Sequence, residues 1–349
     1  MELIVRGSEY QDFLTCRKKW YHAWVEKIEP VRPDNKLFFG EAFHKFLEFY
    51  YQNGCNYATA VAKTMGWINE QDTSGMDQVE FNEMMELFDG VAKHYHRTYG
   101  ENDKKWKVLG TEVEFIVKLD EGLFYTGTID LVVEIDRKVW FLDHKTVSSI
   151  QMYVEKSVMD RQISRYWWAL KMIAEGIGRV KNEEGLWVRW PEIEGREIEG
   201  FVYNLIAKDY PREPKVLKSG KLSADKSQKT TYDLYLAKIH SLGQNPDDYR
   251  EMLDYLKEKP DPYLRRVNVL RTEQELEAAM WEFAYTSADI HDVRLAIMQH
   301  PEVTETLTYR NIGHHCMNMC QYRPLCQTVI EGGNVSLVKN LAYKPKEEN

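Results

Sequence analysis

Residues 127–146 read GTIDLVVEIDRKVWFLDHKT and place Asp130, Asp143 and Lys145 among the apolar residues of what otherwise looks like a two-stranded hairpin. Side chains alternate between the two faces of a strand, so Asp143 and Lys145 lie side by side on one face of the second strand. Asp130 interrupts the apolar first strand. Burying a carboxylate without a partner is expensive, so two of them in one hairpin require a compensating group.

The register of this hairpin predicts how its two acidic residues meet. A two-residue turn at Asp136 and Arg137 places Asp130 directly opposite Asp143, with Cβ atoms about 4.5–5.5 Å apart. Facing carboxylates repel each other, so either one is protonated or a cation lies between them. Mg²⁺ suits this arrangement, because it binds through one or two carboxylates, water and phosphate oxygens. Such a metal generates hydroxide and polarises a phosphodiester, and Lys145 can stabilise the developing charge.

The alternative is a surface hairpin whose charges lie on a solvated face. Two neighbouring features favour a buried hairpin. Gly127 permits close approach of another part of the chain. Residues 129–133, IDLVV, are too apolar for an exposed edge strand.

Two further motifs flank the hairpin. Gln162 and Tyr166 are four residues apart on the next predicted helix and therefore share one face. His44 lies upstream on another predicted helix, and a neutral imidazole is a good ligand for a divalent metal. Without the hairpin, the first pair would be a polar helix stripe and the histidine a structural one.

Hydrophobic periodicity predicts an α/β fold whose core has the order α-β-β-β-α-β, plus an extra strand and later helical additions. The predicted helices are 8–25, 36–52, 76–98, 151–175, 232–258 and 273–299. The predicted strands are 111–119, 123–135, 138–146, 185–190, 199–207 and 265–271. The polar segment from 208 to about 231 is expected to be a long loop or inserted arm, and residues from Glu331 onward a loosely held tail.

Taken in chain order, four motifs resemble the RecB-type nucleases of the PD-(D/E)XK superfamily: His44, Gly127-x-x-Asp130, Asp143-x-Lys145 and Gln162-x-x-x-Tyr166. The resemblance covers residues 8 to 330 and implies a restriction-endonuclease-like core acting on DNA. In that family the histidine and both acids bind Mg²⁺ or Mn²⁺, the lysine is catalytic, and the Gln–Tyr helix supports the site and the DNA. Those roles fall on His44, Asp130, Asp143, Lys145, Gln162 and Tyr166.

Five cysteines are present, an odd number that disfavours a disulfide framework in a reducing compartment. Three of them form a C-terminal C-x3-C-x5-C cluster, CMNMCQYRPLC, which predicts metal binding. Cys16 completes a set of four thiolates with Cys316, Cys320 and Cys326, the number that an iron–sulfur cluster takes. Zinc is the rival metal. Cys55 is expected to be an ordinary buried thiol.

Relatives such as the helicase–nuclease AddB and the CRISPR-adaptation nucleases resemble this layout of one distant and three clustered cysteines, which holds a 4Fe–4S cluster in them. The resemblance implies that Cys16, Cys316, Cys320 and Cys326 bind such a cluster here. It would act as a staple joining residues 8–27 to residues 310–330. A bacterial or phage-encoded protein fits this layout.

Charge and composition limit the classes of partner. The chain has 46 basic and 55 acidic side chains, a net charge of −9, which argues against a surface coated with nucleic acid but leaves room for a local basic groove. Five lysines between 215 and 229 are either a solvated loop or a phosphate-binding arm. Arg265, Arg266 and Arg271 are interpreted as a second basic group. Neither a signal peptide nor a membrane-spanning run is visible, so we expect the cytoplasm of a bacterial or phage-infected cell.

The sequence therefore predicts a metal-dependent deoxyribonuclease, an exonuclease acting on DNA ends or single strands in recombination, repair or CRISPR-type processing. Alternatives are a non-catalytic iron–sulfur DNA-binding module on the same fold and a zinc-stapled regulatory protein. No G-x4-GK[ST] motif occurs, so a helicase motor would be a separate protein. A homo-oligomer, such as a ring around DNA, is compatible with this class. We expect one domain over 1–349, comprising a catalytic core at 36–207, the arm and helices at 208–300, the staple and the tail at 331–349.

Overall fold

The computed structural model of the protein describes residues 3–31, 35–71, 73, 76–318 and 320–346. Its centre is a mixed eight-stranded sheet with the order β7-β6-β3-β4-β5-β8-β9, and β1 pairs with β4 outside this path. A separate two-stranded sheet joins β10 to β2. In chain order, strands β1 to β10 are Leu3–Arg6, Ile28–Pro30, Lys107–Asp120, Leu123–Ile135, Lys138–Val147, Arg179–Lys181, Trp187–Val188, Ile198–Ala207, Leu264–Val269 and Tyr343–Pro345.

Helices cover both faces of the main sheet. The neighbouring β5 residues Phe141 and Leu142 are both fully buried but belong to opposite cores. Phe141 packs on the face covered by α1, α7 and α10, and Leu142 on the face covered by α3 and α5. In chain order, helices α1 to α14 are Gly7–Thr15, Arg17–Trp20, Asn35–Gln52, Tyr57–Glu70, Gln78–Asp103, Ile150–Ser157, Arg161–Ala174, Tyr232–Ser241, Arg250–Glu258, Glu273–Gln299, Thr304–Leu307, His314–Asn318, Arg323–Ile330 and Val335–Ala342.

The hairpin of β4 and β5 has the predicted register, with Ile135 paired to Lys138. Asp136 and Arg137 form its turn, and both adopt positive φ angles of 51° and 67°. Positive φ at both central residues is the conformation of a type I′ turn, whose twist matches that of the flanking strands. The α/β fold class expected from the sequence is confirmed.

Local breaks distinguish the observed helices from the predicted ones. Cys16 has an extended backbone, with φ −165° and ψ 115°, and separates α1 from α2. The predicted helix 151–175 is also two helices, because Asp160 caps α7 by accepting a hydrogen bond from the backbone N–H of Gln162. Helix α4 was missed, although Asn56 caps it through the backbone N–H of Thr59.

The prediction of a loosely held C-terminal tail is wrong for residues 335–345. Helix α14 is followed by β10, which pairs antiparallel with β2. Tyr343 is buried, stacks on Tyr322 at a ring-centroid distance of 5.9 Å, and donates a hydrogen bond to the carbonyl of Gln321. Val335 and Val338 of α14, three residues apart, pack against the same cluster, so the helical spacing of these apolar residues was a signal that the prediction missed. Residues 347–349 lie outside the described part.

Among the described residues, no helix is both long and apolar enough to cross a membrane. The longest helix, α10, instead packs along the sheet through Leu276, Phe283 and Ile290, which are buried in its core. Its first residue, Glu273, pairs with Lys171 of α7, and Arg294 in its last third pairs with Glu9 of α1. The sheet and this helix together position the site described next.

Candidate active site

Strands β4 and β5 diverge where their acidic residues begin. Leu131 and Leu142 are the last pair of the hairpin, and beyond them β5 pairs with β8 while β4 pairs with β1. Asp130 and Asp143 are the next residue on each strand, so they lie on the two sides of a fork. A carboxylate oxygen of Asp130 (Oδ2) bridges the fork by accepting a hydrogen bond from the backbone N–H of His144 at 2.6 Å.

Asp143 and Lys145 form an ion pair inside this fork. Lys145 Nζ donates to Asp143 Oδ1 at 3.0 Å. The other oxygen, Oδ2, is 2.7 Å from Nζ but accepts no well-aligned hydrogen bond from any described residue. Asp143 is almost fully buried, so an under-satisfied oxygen is costly there and suits a ligand to a cation.

A second acidic group meets His44 on the other side of Asp130. His44 Nδ1 lies 3.6 Å from Asp130 Oδ2 and 3.9 Å from Glu112 Oε1. One ligand atom from each of the three residues lies within 4.8 Å of the others. Asp143 is outside this trio but its charge acts on the same imidazole. The sequence-predicted residues His44, Asp130 and Asp143 are therefore brought together, and Glu112 joins them.

Glu112 was not predicted, and its backbone explains how it reaches the site. The flanking residues Thr111 and Val113 pair regularly with β4, in a register that sets Glu112 opposite Asp130. Glu112 itself has a positive φ of 46°, which is strained for a side chain of this type. Such strain concentrates at functional sites. Pairing the predicted β3 strand against β4 would have revealed the residue, whereas alternation alone did not distinguish it from other surface acids.

Burial and mutual repulsion shift the ionisation of these groups. Burial raises the pKa of Asp130, which the imidazole of His44 partly opposes. Burial also raises the pKa of Asp143 to about 6, against the lowering effect of Lys145. Burial lowers the pKa of His44, but the carboxylates of Asp130 and Glu112 outweigh this and raise it to about 9. Without metal, the imidazolium and the lysine are the counterions of the acidic cluster.

Gln162 and Tyr166 contact each other as predicted. Gln162 Nε2 donates to Tyr166 Oη at 3.1 Å. Burial and then the charge of Asp143 raise the pKa of Tyr166, which locates the phenol beside the acidic cluster. Gly127 allows this close packing, because a Cβ atom there would lie only 3.0 Å from the ring of Phe115 and 3.2 Å from that of Tyr166.

A buried polar network supports the fork from the α5 side. Asn204 Nδ2 lies 2.9 Å from the His144 ring nitrogen Nδ1 and donates to Tyr95 Oη at 2.8 Å. Arg266 binds both carboxylate oxygens of Asp103 at 2.6 and 2.7 Å and also donates to Tyr95 Oη. Burial lowers the pKa of His144, so its imidazole stays neutral within the network. The network fixes the backbone of His144, whose N–H holds Asp130.

A family comparison agrees with this geometry. The family model described as the PD-(D/E)XK nuclease superfamily matches residues 7–327. The chain belongs to the PD-(D/E)XK nuclease superfamily. No curated protein matches the chain. The matched range includes the fork, the Gln162–Tyr166 helix and both cysteine-bearing segments.

Membership in this superfamily makes the chain a nuclease of a metal-dependent class. Its donor set is one imidazole nitrogen and three carboxylates: His44, Glu112, Asp130 and Asp143. The hard carboxylate oxygens, three of the four donors, suit Mg²⁺ and Mn²⁺. The under-satisfied oxygen of Asp143 and the strained backbone of Glu112 both fit a divalent ion between the strands.

The thiols of this PD-(D/E)XK nuclease lie around one cavity of about 230 Å³, whose walls include Cys16, Cys316, Cys320 and Cys326. Asn311 donates its backbone N–H to Cys16 Sγ at 3.4 Å. Within the described residues, no three of these sulfurs lie within 4.8 Å of one another. They are thus wider apart than thiolates around one zinc ion, which are separated by about 3.8 Å. Cys55 is a separate buried thiol, as expected.

The two predicted basic groups of the nuclease differ in structure. All five lysines of the arm are exposed: Lys215, Lys218, Lys221, Lys226 and Lys229. The interpretation of the three arginines as a basic group is wrong for two of them. Arg266 is held by Asp103, and Arg271 donates to Ser164 Oγ and to the carbonyl of Asp160. Both side chains form hydrogen bonds inside the protein. The sequence RRVNVLR alone does not show such partners.

Proposed function

We propose that this nuclease hydrolyses DNA phosphodiesters with Mg²⁺ or Mn²⁺, as an exonuclease acting on DNA ends or single strands. One observation supports this proposal above all others. The diverging strands bring Asp130 and Asp143 together with His44 and Lys145, and a strained Glu112 turns toward the same point. A purely structural fork has no reason to collect three carboxylates.

Each side chain has a distinct task in this proposal. His44, Glu112, Asp130 and Asp143 would hold the ion. When bound, a divalent ion supplies Lewis-acid activation of water and of the phosphate. Lys145 presents its ammonium group beside Asp143, where it orients the attacking water or stabilises developing phosphate charge.

Gln162 and Tyr166 act as positioning residues. Their hydrogen bond fixes the phenol against Gly127 on the strand that leads to Asp130. They therefore set the distance between α7 and the fork, through which the DNA strand would pass.

We also propose that Cys16, Cys316, Cys320 and Cys326 bind a 4Fe–4S cluster that staples residues 8–27 to residues 310–330. In a cubane cluster each thiolate binds a different iron atom, so sulfurs spread around a cavity suit it better than a single zinc ion. Brown colour and visible absorption of the protein purified without oxygen test this. A colourless protein carrying zinc would contradict it, and Cys55→Ser, outside the cavity, should leave the colour unchanged.

The proposal extends to the setting of the reaction. We place the nuclease in the cytoplasm of a bacterial or phage-infected cell, in recombination, repair or CRISPR-type processing, with any motor supplied by a separate helicase. The exposed lysines of 215–229 are suited to neutralise phosphates of the DNA outside the fork.

A time course on end-labelled DNA tests the activity. Single- and double-stranded substrates, blocked at either end, are incubated with Mg²⁺ or Mn²⁺. Asp143→Asn and Lys145→Met should each lower the rate by at least about 100-fold. Asp254→Asn, an exposed acid on α9, is the matched control and should cleave normally. DNA binding without cleavage in either metal would favour a non-catalytic binding module.

A further inference from the structure

A large cavity of about 970 Å³ opens beside the fork. It lies beside the part of β4 between its pairing with β1, which ends at Thr126, and its pairing with β5, which begins at Leu131. Residues 126–128 form part of the cavity wall. Gln162 and Tyr166 form another part of the wall. Gly7 and Ser8, the first residues of α1, complete it on the side of β1. The cavity therefore adjoins the candidate active site on the side of Gln162 and Tyr166.

Arg165 lies in the wall of this cavity with its charge uncompensated. Its side chain is only 4% exposed, yet it forms no ion pair with a carboxylate in the described part of the chain. Its Nε has no hydrogen-bond partner there either. The guanidinium lies 4.7 Å from the ring centroid of Tyr10 and 5.5 Å from that of Phe283. Ring faces offset only part of the cost of burying a cation.

The beginning of α1 lies beside Arg165 and also lacks a side-chain cap. Arg6 occupies the N-cap position, and within the described ranges no side-chain hydrogen bond caps the helix. A Cβ atom on Gly7 would lie 4.0 Å from the Arg165 guanidinium, so the first turn of α1 and this arginine are neighbours. Uncapped N–H groups and the helix dipole favour an anion at such a terminus.

The acidic residues of the cavity do not neutralise Arg165. Glu282 pairs with Arg161, and Glu114 pairs with Lys181 at 2.9 Å. Asp160 accepts from the Tyr203 hydroxyl at 2.6 Å and caps α7. The guanidinium is left facing a space that no described carboxylate fills.

The wall of the cavity carries exposed apolar side chains beside exposed charged ones such as Lys156 and Arg161. Met159 is 81% exposed and Leu14 is 50% exposed, and both line the opening. A wall that offers cations and apolar side chains together suits a nucleotide, whose phosphate is anionic and whose base presents a flat apolar face. A simple inorganic anion would not require the apolar side chains.

We propose that Arg165 and the first turn of α1 bind a phosphate group of the DNA strand next to the phosphate held at the fork. The identity of the ligand rests on the proposed nuclease function. The phosphate is either a terminal phosphomonoester of the strand or the neighbouring internal phosphodiester, since both present the same oxygens. Arg165 binds through its forked N–H donors, which match a phosphate in two parallel hydrogen bonds.

Thermal unfolding with inorganic phosphate and EDTA tests the site independently of cleavage. Phosphate should raise the unfolding midpoint of the wild type and of Arg189→Met, an exposed cation outside the cavity, but not that of Arg165→Met. Without phosphate, Arg165→Met should unfold at the same or a higher temperature, because an unpaired buried charge has been removed. Equal phosphate stabilisation of Arg165→Met, or a lower midpoint in the absence of phosphate, would overturn the proposal. Arg165→Lys, which keeps the charge but loses the fork, should retain part of the stabilisation.

Binding of single strands in Ca²⁺ identifies the source of the phosphate. Arg165→Met should weaken binding roughly 10- to 100-fold. If the ligand is a terminal phosphate, the loss is confined to strands with a 5′- or 3′-phosphate; if it is internal, linear and circular strands lose affinity equally. Unchanged affinity on every strand overturns the proposal. If the wild type never cleaves DNA but phosphate still raises its unfolding midpoint, the nuclease function is refuted and the anion site is supported.

Discussion

Metal binding at the fork should release a proton, and His44 is its source. Burial lowers the pKa of His44, but the carboxylates of Asp130 and Glu112 raise it to about 9, so the imidazole is protonated at neutral pH. A protonated imidazole cannot bind a metal ion. The ion must therefore displace this proton before the nitrogen becomes a ligand.

The magnitude follows from one competing proton. Between pH 7 and pH 9 the apparent affinity for Mn²⁺ should rise about 50-fold in all, close to tenfold over the first pH unit and less over the second, as the pH reaches the pKa of His44. Below about pH 6 a second proton, on Asp143, begins to compete and the dependence becomes steeper. Calorimetry at pH 7.5 in two buffers with different ionisation enthalpies should therefore give about one proton released per ion.

Two variants identify the groups involved. His44→Gln should bind Mn²⁺ more weakly and release no proton near neutral pH. Asp143→Asn should keep the release at pH 7.5 but lose the steeper dependence at low pH. His240→Gln, an exposed histidine on α8, is the control and should behave as the wild type. An affinity that is constant from pH 7 to pH 9, with no proton released, would refute this reasoning.

Three further predictions concern stability in chemical denaturation. Replacing Asp136-Arg137 with Asn-Gly should raise the free energy of unfolding by about 1 kcal/mol, because both positions have positive φ. A lower free energy of unfolding would contradict the type I′ turn. Arg266→Met should lower the free energy of unfolding by about 3–5 kcal/mol, because buried Asp103 is left without its cation. An unchanged free energy of unfolding would show that the ion pair is dispensable. Tyr343→Ala should lower the free energy of unfolding by about 3 kcal/mol. No change would indicate that residues 335–345 are a loosely held tail after all.

The sequence was most informative where chemistry and periodicity coincide. Strand alternation placed Asp143 beside Lys145, and the turn at Asp136 fixed the register, because a two-residue turn leaves one pairing for the whole hairpin. The fork itself was not predictable. It arises because β5 continues along β8 while the first part of β4 pairs with β1. The local sequence pattern of a strand does not show which distant strand it pairs with.

Residues that act through an irregular backbone or an unpaired charge were missed. Glu112 reaches the site because its backbone is left-handed. No neighbouring residue type predicts that conformation. Arg165 interrupts the apolar face of α7, but a helical arginine is usually solvated or paired. Only the structure shows that Arg165 is buried and has no carboxylate partner among the residues it describes. Arg266 was wrongly assigned to DNA because its partner Asp103 is distant in sequence.

The central claim is that His44, Glu112, Asp130 and Asp143 hold the catalytic divalent ion. Anomalous diffraction from crystals of the protein soaked in Mn²⁺ tests this most directly. We predict one strong manganese peak between β4 and β5, within bonding distance of His44 and the carboxylates, and its loss in Asp130→Asn. A peak elsewhere, or none at the fork in the wild type, would contradict the account.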